Sequence, residues 1–180
     1  AGSTWLSIPV HHSMNDKIKD VKISQRNWNV KHWKTIQQNY SKAAGFSQAK
    51  PFLEDLYEGI DSEYLSDINF TFINAINIFL GIKTEITRSS DYQYGGDKSQ
   101  RILELCKAAN AGVYVSGSAA KNYLDLKLFE RANIQLEWAD YTNYPEYTQL
   151  FPPFEEKVSI LDVILNTGNN AGNYLKMKKN

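Results

Sequence analysis

The sequence predicts an α/β fold, a three-layer-like single domain in which helices flank a mostly parallel sheet. Three times along the chain, a helical pattern is followed by a Gly or Asn and then by a short apolar strand. This order is typical of βα units packed around a parallel sheet. A chain of 180 residues fits one domain, and no repeat or linker divides it, so we assign residues 1–180 to a single domain.

The N-terminal part is expected to contain two strands and a helix. Residues 5–10 form an apolar run, and residues 18–23 alternate apolar with polar side chains as in a half-buried strand. A helix is expected over about 28–43, because apolar and amphipathic side chains recur there at helical spacing. Its expected buried face contains Val30, Trp33, Ile36, Gln37 and Tyr40.

Capping signals delimit the next two helices. Pro51 is expected in the first turn of a short helix, where its missing N–H has no partner to lose. The broad apolar face within residues 61–82 predicts the clearest helix of the chain. Asp61 or Ser62 is its expected N-cap, and Gly81 its expected left-handed end.

The remaining elements alternate between strands and helices. The expected strands are 84–87, 113–116 and 134–138, and the expected helices are about 98–109, 126–132 and 159–177, the last interrupted near Gly168. Cys106 falls on the apolar face of its helix, so we interpret it as a core residue and not as a reactive thiol. Polar loops follow all three strands, at the sheet edge where ligands bind in α/β folds.

Composition and charge exclude several functional classes. Lys plus Arg and Asp plus Glu both total 20, so the chain lacks the basic excess typical of nucleic-acid binding. No apolar run approaches the ~20 residues that span a bilayer. The single cysteine excludes a disulfide framework and suits a reducing cytoplasm. His11, His12 and His32 lack the spacing of a metal site, so neither a metal nor another cofactor is expected.

The turn after the strand at 113–116 is a candidate anion site. Backbone N–H groups at Ser116 and Gly117 can face an anion where a strand turns into a helix, and Lys121 can add positive charge. The alternative is a tight connection with a solvated lysine. The spacing is not that of a P-loop, which requires an earlier glycine.

Other candidates lie in the preceding loop and in the first helix. Arg101 can pair with a carboxylate or phosphate near Ser89 and Ser90, unless this Gly-containing loop only turns the chain. His32 lies beside the apolar face of its helix, a position that suits an acid–base group. The alternative is a histidine packed at the helix edge.

The C-terminal part joins a Pro- and aromatic-rich segment, residues 144–156, to a helix that Ser159 can cap. Such segments are packed Ω-like loops or walls of sites. Asp162 and Asn166 lie four residues apart, on one face of that helix. They either face a pocket or satisfy their hydrogen bonds internally.

Four segments carry a family resemblance: DVKISQRNWNVKHWKTIQQNYSKA, LGIKTEITRSSD, KSQRILELCKAANAGVYVSGSAAKNYLD and WADYTNYPEYTQLFPPFEEKVSILDVILNTG. In order and spacing, over roughly residues 5–175, they resemble the WbqC-like protein family. The closing segment is the most specific. Members usually begin earlier, with a segment resembling QPxYxPWxGYF, so we expect residues 1–180 to be the larger, C-terminal part of such a protein.

The resemblance implies a cytoplasmic role in making or decorating an activated sugar, because members are similar to proteins encoded in surface-polysaccharide and O-antigen clusters. It implies a small-molecule substrate, a nucleotide sugar, and transfer of an acyl or aminoacyl group to an amino sugar. The family pattern marks His32, Trp33, Ser89, Ser90, Ser116, Gly117, Lys121, Tyr123, Tyr141, Tyr147, Gln149, Asp162 and Asn166.

For this transferase we expect His32, Ser116 and Lys121 to be catalytic. The other marked residues apart from Trp33 are expected to bind substrate together with Arg101. Two other functions stay open. A non-catalytic module would use the Tyr-rich loop, residues 141–154, as an exposed surface for glycan or protein. A nucleotide-binding domain with nucleotidyl or aminoacyl-adenylate chemistry would suit the strand ends, but the chain has neither a P-loop nor a HIGH-like sequence.

Overall fold

The computed structural model of the chain describes residues 3–175. These residues divide into two compact units, the first formed by residues 3–84 and 144–175 and the second by residues 85–143. Each unit combines helices with a two-stranded sheet, so the mixed α/β class expected from the sequence is confirmed. The assignment of the whole chain to one domain stays a prediction.

The described strands form two separate sheets, where we expected one mostly parallel sheet. In the first unit β1 (Val10–His11) runs antiparallel to β2 (Lys22–Ile23). In the second unit β3 (Val113–Ser116) runs parallel to β4 (Gln135–Trp138). The two strands expected at 113–116 and 134–138 are therefore confirmed, with the second beginning one residue later.

Three expected strands are shortened or replaced. Only Val10 of the expected strand 5–10 belongs to β1, a 3₁₀ turn at Ile18–Asp20 precedes β2, and residues 84–87 form no strand. A strand is held by hydrogen bonds to a neighbouring strand. Alternating hydropathy does not show whether a neighbour exists. Among the described residues, these stretches pair only in the short β1–β2 ladder and in one isolated antiparallel bridge between Lys22 and Tyr64.

The helices are α1 (Trp28–Tyr40), α2 (Phe46–Glu58), α3 (Leu65–Phe79), α4 (Lys98–Ala108), α5 (Leu126–Arg131) and α6 (Ile160–Thr167). A 3₁₀ helix, Gly168–Tyr174, continues α6 after the expected interruption, and the end of the expected tail at 176–177 lies outside the described residues. Among residues 3–175, no helix combines the length and apolar content that crossing a membrane requires.

Helix boundaries differ from the sequence expectation in two places. Pro51 lies inside α2 and not in its first turn, so the helix tolerates one missing internal hydrogen bond. The N-cap of α3 is Tyr64, and the Ser62 hydroxyl accepts a hydrogen bond from the Tyr64 N–H in the turn before the helix. The left-handed end of this helix at Gly81 is confirmed, with φ at +71°.

Helices α1, α2, α3 and α6 enclose the core of the first unit. Its larger buried side chains are Trp28, Trp33, Ile36, Tyr57, Leu53, Ile68, Ile164 and Leu165. The buried stripe of α1 passes through Trp28, His32 and Ile36. Because a helix turns about 100° per residue, Val30 then lies on the opposite side, and its exposure corrects our expectation that it would be buried.

The second unit contains a βαβ arrangement with a small core of its own. β3 continues through a 3₁₀ turn, Ser118–Asn122, and α5 into β4, with Val113 opposite Gln135 in the parallel register. Cys106 packs into this core against Phe129 and its neighbours, as expected. Burial raises the pKa of the Cys106 thiol, which disfavours the reactive thiolate.

The contact between Gly45 and Gly168 gives a stability prediction for the first unit. Gly45 precedes α2, and a Cβ on it would overlap the backbone nitrogen of Gly168 at the end of α6. We expect Gly45→Ala to lower the free energy of unfolding in urea by about 3 kcal/mol, the upper end for overpacking. Gly112→Ala is the matched control, since a Cβ there meets no atom within 4 Å. Equal losses in both variants would contradict this close packing.

Candidate functional site

A cavity of about 590 Å³ lies in the first unit and is within the size range of small-molecule sites. Its walls come from α1, α3, α6 and residues near the N-terminus. Apolar side chains dominate the lining and include Ile8, Trp28, Ile36, Phe72, Ile76 and Leu165. The polar lining includes His32, Thr35, Asn39, Tyr40, Tyr57 and Asp162.

Aromatic rings form the inner wall of the cavity. The ring centroids of Trp28 and His32 are 5.1 Å apart, and those of Tyr57 and Phe72 are 5.0 Å apart, both pairs in edge-to-face arrangements. Trp28 and Tyr57 are only 3% and 4% exposed. Their indole N–H and phenol hydroxyl form no hydrogen bond within residues 3–175, and no fully buried side-chain polar atom there lacks a partner, so both atoms are accessible from the cavity. Accessible polar atoms on a cavity wall are suited to bind polar groups of a ligand.

His32 presents a basic nitrogen on this wall. Its side chain is 9% exposed, and Nε2 lies 3.1 Å from the carbonyl oxygen of Ser7. Because a carbonyl oxygen only accepts hydrogen bonds, Nε2 donates its proton to Ser7, and Nδ1 is the ring nitrogen left to interact with a ligand. Nδ1 has no partner in the described part of the chain. His32 thus lies within the buried face of α1 and not merely beside it.

Helix α6 places a carboxylate at the opposite side of the lining. Ser159 caps the helix as expected, with its hydroxyl accepting a hydrogen bond from the Leu161 N–H. Asp162 therefore falls in the first turn, where the helix dipole stabilises negative charge. The Asp162 side chain is 7% exposed, so it requires donors to replace water.

Three neutral donors supply those hydrogen bonds. The Tyr40 hydroxyl donates to Oδ1 of Asp162 at 2.6 Å. The Tyr147 hydroxyl and the Gln149 amide donate to Oδ2 at 2.6 and 2.9 Å. Burial, together with the bond to Asp162, raises the pKa of both tyrosines far above the ordinary range. Both hydroxyls therefore keep their protons and act as donors to the carboxylate.

The same network fixes the segment that precedes α6. The Gln149 side chain donates to the Glu155 carbonyl at 2.9 Å and accepts from the Glu155 N–H at 2.7 Å. Asn166 accepts from the Leu150 N–H at 3.0 Å and donates to the Asp162 carbonyl at 2.8 Å. Asn166 is therefore satisfied internally, whereas Asp162 is both satisfied and part of the cavity wall.

In the second unit, several candidates lie at one edge of the β3–β4 pair. Ser116 ends β3 opposite Trp138, the last residue of β4. The Lys121 Nζ lies 5.2 Å from the centroid of the Trp138 ring, a cation–π arrangement. Gly117 faces Tyr141, because a Cβ at this glycine would lie 3.8 Å from the tyrosine hydroxyl. The carboxyl edge of the parallel pair thus brings together four of the expected residues.

The other candidates of the second unit have local contacts. Ser89 and Ser90 lie in an exposed 3₁₀ turn. The Arg101 Nε donates to the Gly96 carbonyl at 3.2 Å. The Tyr123 side chain is exposed, while its backbone carbonyl accepts from the Ser99 hydroxyl at 3.3 Å. The binding roles of these residues stay predictions.

The expected catalytic set is divided between the units, with His32 in the first and Ser116 and Lys121 in the second. The structure also adds three cavity residues to which the sequence assigned no site role: Trp28, Tyr40 and Tyr57. One signal was available for Tyr40, since a tyrosine on a buried helix face needs a partner for its hydroxyl. That signal does not show that the partner is 122 residues away.

Comparisons with known proteins extend over both units. The model of the WbqC-like protein family matches residues 1–174. The uncharacterized protein Rv1507c of Mycobacterium tuberculosis is 37% identical over 177 residues, which cover 97% of this chain and 77% of the relative. No solved structure matches the chain.

Burial of Tyr57 gives a prediction for alkaline pH. Burial raises the pKa of Tyr57 to about 12, whereas an unfolded tyrosine titrates near pH ~10. The folded state holds this proton more tightly, so the stabilisation is complete below about pH 10 and is lost as the pH rises through the folded-state pKa. Between about pH 8 and about pH 11, the free energy of unfolding should fall about 1 kcal/mol less in Tyr57→Phe than in the unmodified protein.

Urea denaturation at each pH measures this difference. Tyr123→Phe is the control, because the Tyr123 side chain is exposed; its pH profile should match that of the unmodified protein. A Tyr57→Phe profile parallel to both would show that burial of this hydroxyl does not couple to stability.

Proposed function

Because the chain belongs to the WbqC-like protein family, we propose that it acts in surface-polysaccharide or O-antigen biosynthesis. The proposed activity is transfer of an acyl or aminoacyl group to the amine of a nucleotide-activated amino sugar in the cytoplasm. The family resemblance supports the pathway. The observation that supports the chemistry is a cavity whose wall holds both His32, with Nδ1 unpartnered within the described residues, and the buried carboxylate of Asp162.

His32 is the proposed general base. In this reaction the amine of the sugar attacks the carbonyl carbon of the donor, and a C–N bond forms. The bond from that carbon to the leaving group breaks, and its electron pair goes to the leaving group. Nδ1 of His32 takes the proton released by the attacking amine. The partly apolar lining favours this step, because electrostatic interactions are stronger where water is excluded.

Within the second unit, the strand-end residues are proposed to form a site for phosphate groups. Lys121 supplies positive charge, and Ser116 and Gly117 supply hydroxyl and backbone donors at the end of β3. This proposal depends on their common position at the carboxyl edge of a parallel strand pair, where α/β proteins bind ligands. Arg101 and the exposed Ser89 and Ser90 are proposed as further contacts.

A second function, a non-catalytic glycan- or protein-binding module, is favoured by a different observation. Tyr141 in the second unit is 68% exposed, and Phe151 in the first unit is 51% exposed. Exposed aromatic rings suit stacking on sugars and contacts with protein partners. Under this alternative the protein binds glycans without changing them.

A transfer assay separates the two functions. The protein is incubated with nucleotide amino sugars and a panel of acyl and aminoacyl donors, and mass spectrometry then shows whether a nucleotide sugar gains the mass of the donor group. Gain of that mass supports the transferase. Glycan binding without any mass change on the whole panel would support the module and contradict the transferase.

The role of His32 is tested with a matched histidine. His32→Gln should lower the transfer rate by a factor of about 10² to 10⁴, the usual contribution of a general base. His12→Gln is the control, because His12 is exposed and does not line the cavity; its rate should not change. If His32→Gln has the same thermal unfolding temperature as the unmodified protein and still transfers at the full rate, His32 is not the general base.

The role of Lys121 is tested by binding alone. Lys121→Ala should raise the dissociation constant for a nucleotide sugar about tenfold in calorimetry, as expected for loss of a hydrogen bond to a charged group. Lys127→Ala removes an equally exposed lysine from the same unit and should bind normally. Unchanged affinity in the Lys121 variant would contradict phosphate binding at this strand end.

A further inference from the structure

The end of the cavity near Asp162 offers hydrogen-bond acceptors. On α1, the Tyr40 hydroxyl donates its proton to Asp162 at 2.6 Å. The Thr35 hydroxyl donates to the Lys31 carbonyl at 2.9 Å, and the Asn39 amide donates to the Thr35 carbonyl at 2.8 Å. With the hydroxyl protons committed, Thr35 and Tyr40 present oxygen lone pairs to the cavity. A ligand group bound there must therefore donate hydrogen bonds.

Among residues 3–175, no cation pairs with the carboxylate at this end. Asp162 is 7% exposed and accepts hydrogen bonds only from neutral groups. Within the described residues it forms no ion pair; Lys157, which also lines the cavity, is exposed and has no salt bridge to it. In a site of low dielectric constant, a ligand cation would gain strongly from this carboxylate.

The position of His32 limits which amine can lie at this end. His32 and Tyr40 are two turns apart on α1, about 12 Å along the helix axis. With this rise between the two turns, an amine bound beside Tyr40 and Asp162 is assigned to a different group from the amine that His32 deprotonates.

An aminoacyl donor fits this spacing. Its ammonium would lie about 2.9 Å from an acceptor oxygen, and its carbonyl carbon about 2.5 Å further along the chain. The attacking amine stands about 3 Å beyond that carbon, and a base lies about 3 Å beyond the amine. These steps together span about 11 Å, close to the separation of the two helix turns.

We propose that the Asp162 end of the cavity binds the protonated amine of an aminoacyl donor, so that the group transferred is aminoacyl and not plain acyl. This proposal rests on the proposed transferase function and adds the placement of the donor. An anionic group is repelled at this end, because both the carboxylate and the oxygens around it are acceptors. A plain acyl chain leaves the carboxylate without a charge partner.

Binding of two matched probes tests the proposal without any turnover. L-phenylalaninamide has an aromatic body and a protonated amine, whereas N-acetyl-L-phenylalaninamide has the same body with the amine blocked. Ligand-detected NMR gives the dissociation constant of each. The unmodified protein should bind the free amine at least about tenfold more tightly, which corresponds to one charged hydrogen bond.

Three variants locate the preference. Tyr40→Phe removes an oxygen from the cavity wall, and Asp162→Asn removes the charge; both should reduce the preference for the free amine to less than about threefold. Tyr64→Phe removes a phenol hydroxyl from the same unit that neither lines the cavity nor contacts Asp162, so its preference should persist. Thermal unfolding confirms that each variant is folded, and Tyr40→Phe decides the question if Asp162→Asn is not.

Several results would overturn the inference. They are equal or weaker binding of the free amine, no binding of phenylalaninamide at millimolar concentration, or a preference that survives Tyr40→Phe. These outcomes are distinct from failure of the transferase. Transfer of plain acyl groups without any amine preference would support the proposed function and contradict this inference. An amine preference without transfer on the whole panel would support the amine site and contradict the transferase.

Discussion

The carboxylate of Asp162 joins α6 to the segment just before it and to α1, 122 residues away in the sequence. Its oxygens accept hydrogen bonds from Tyr40 at the end of α1 and from Tyr147 and Gln149 in the segment before α6. A buried carboxylate gives up its hydration on folding, and with fewer hydrogen-bond donors much of that loss would stay uncompensated. The position of this segment and the shape of one end of the cavity therefore depend on a single charged group. Its location in the first turn of α6 adds the favourable helix dipole.

The cavity owes its chemistry to the contrast between its two polar regions. At the Asp162 end, hydroxyl protons are committed within the protein, and acceptor oxygens remain. At the His32 end, the ring lies among aromatic side chains, fixed by the contact of Nε2 with the Ser7 carbonyl. Apolar side chains dominate the lining, and electrostatic interactions strengthen where contact with water is reduced. In the proposed binding mode, charge orients an elongated ligand at one end and leaves the reacting atoms near the other.

Local signals in the sequence predicted local structure well. Ser159 caps α6 because a serine before an apolar helix satisfies a free N–H group. Pairing between distant segments was not predictable, since residues 84–87 have strand-like side chains but no neighbouring strand. The effect of tertiary packing was not predictable either, since Pro51 lies inside a helix that packing maintains. The site shows the same limit. The sequence indicated Asp162 as a polar group on an apolar helix, but its partner Tyr40 comes from the other end of the chain.

The Asp162 carboxylate, held by tyrosine hydroxyls in the cavity wall, is the proposed anchor for a ligand amine. A crystal structure of the protein soaked with phenylalaninamide measures this directly. We expect the ammonium nitrogen within about 3 Å of Tyr40 Oη or Asp162 Oδ1, with the phenyl ring against the aromatic wall. An ammonium group bound elsewhere, or an Asp162 side chain turned away from Tyr40 and Tyr147, would contradict it.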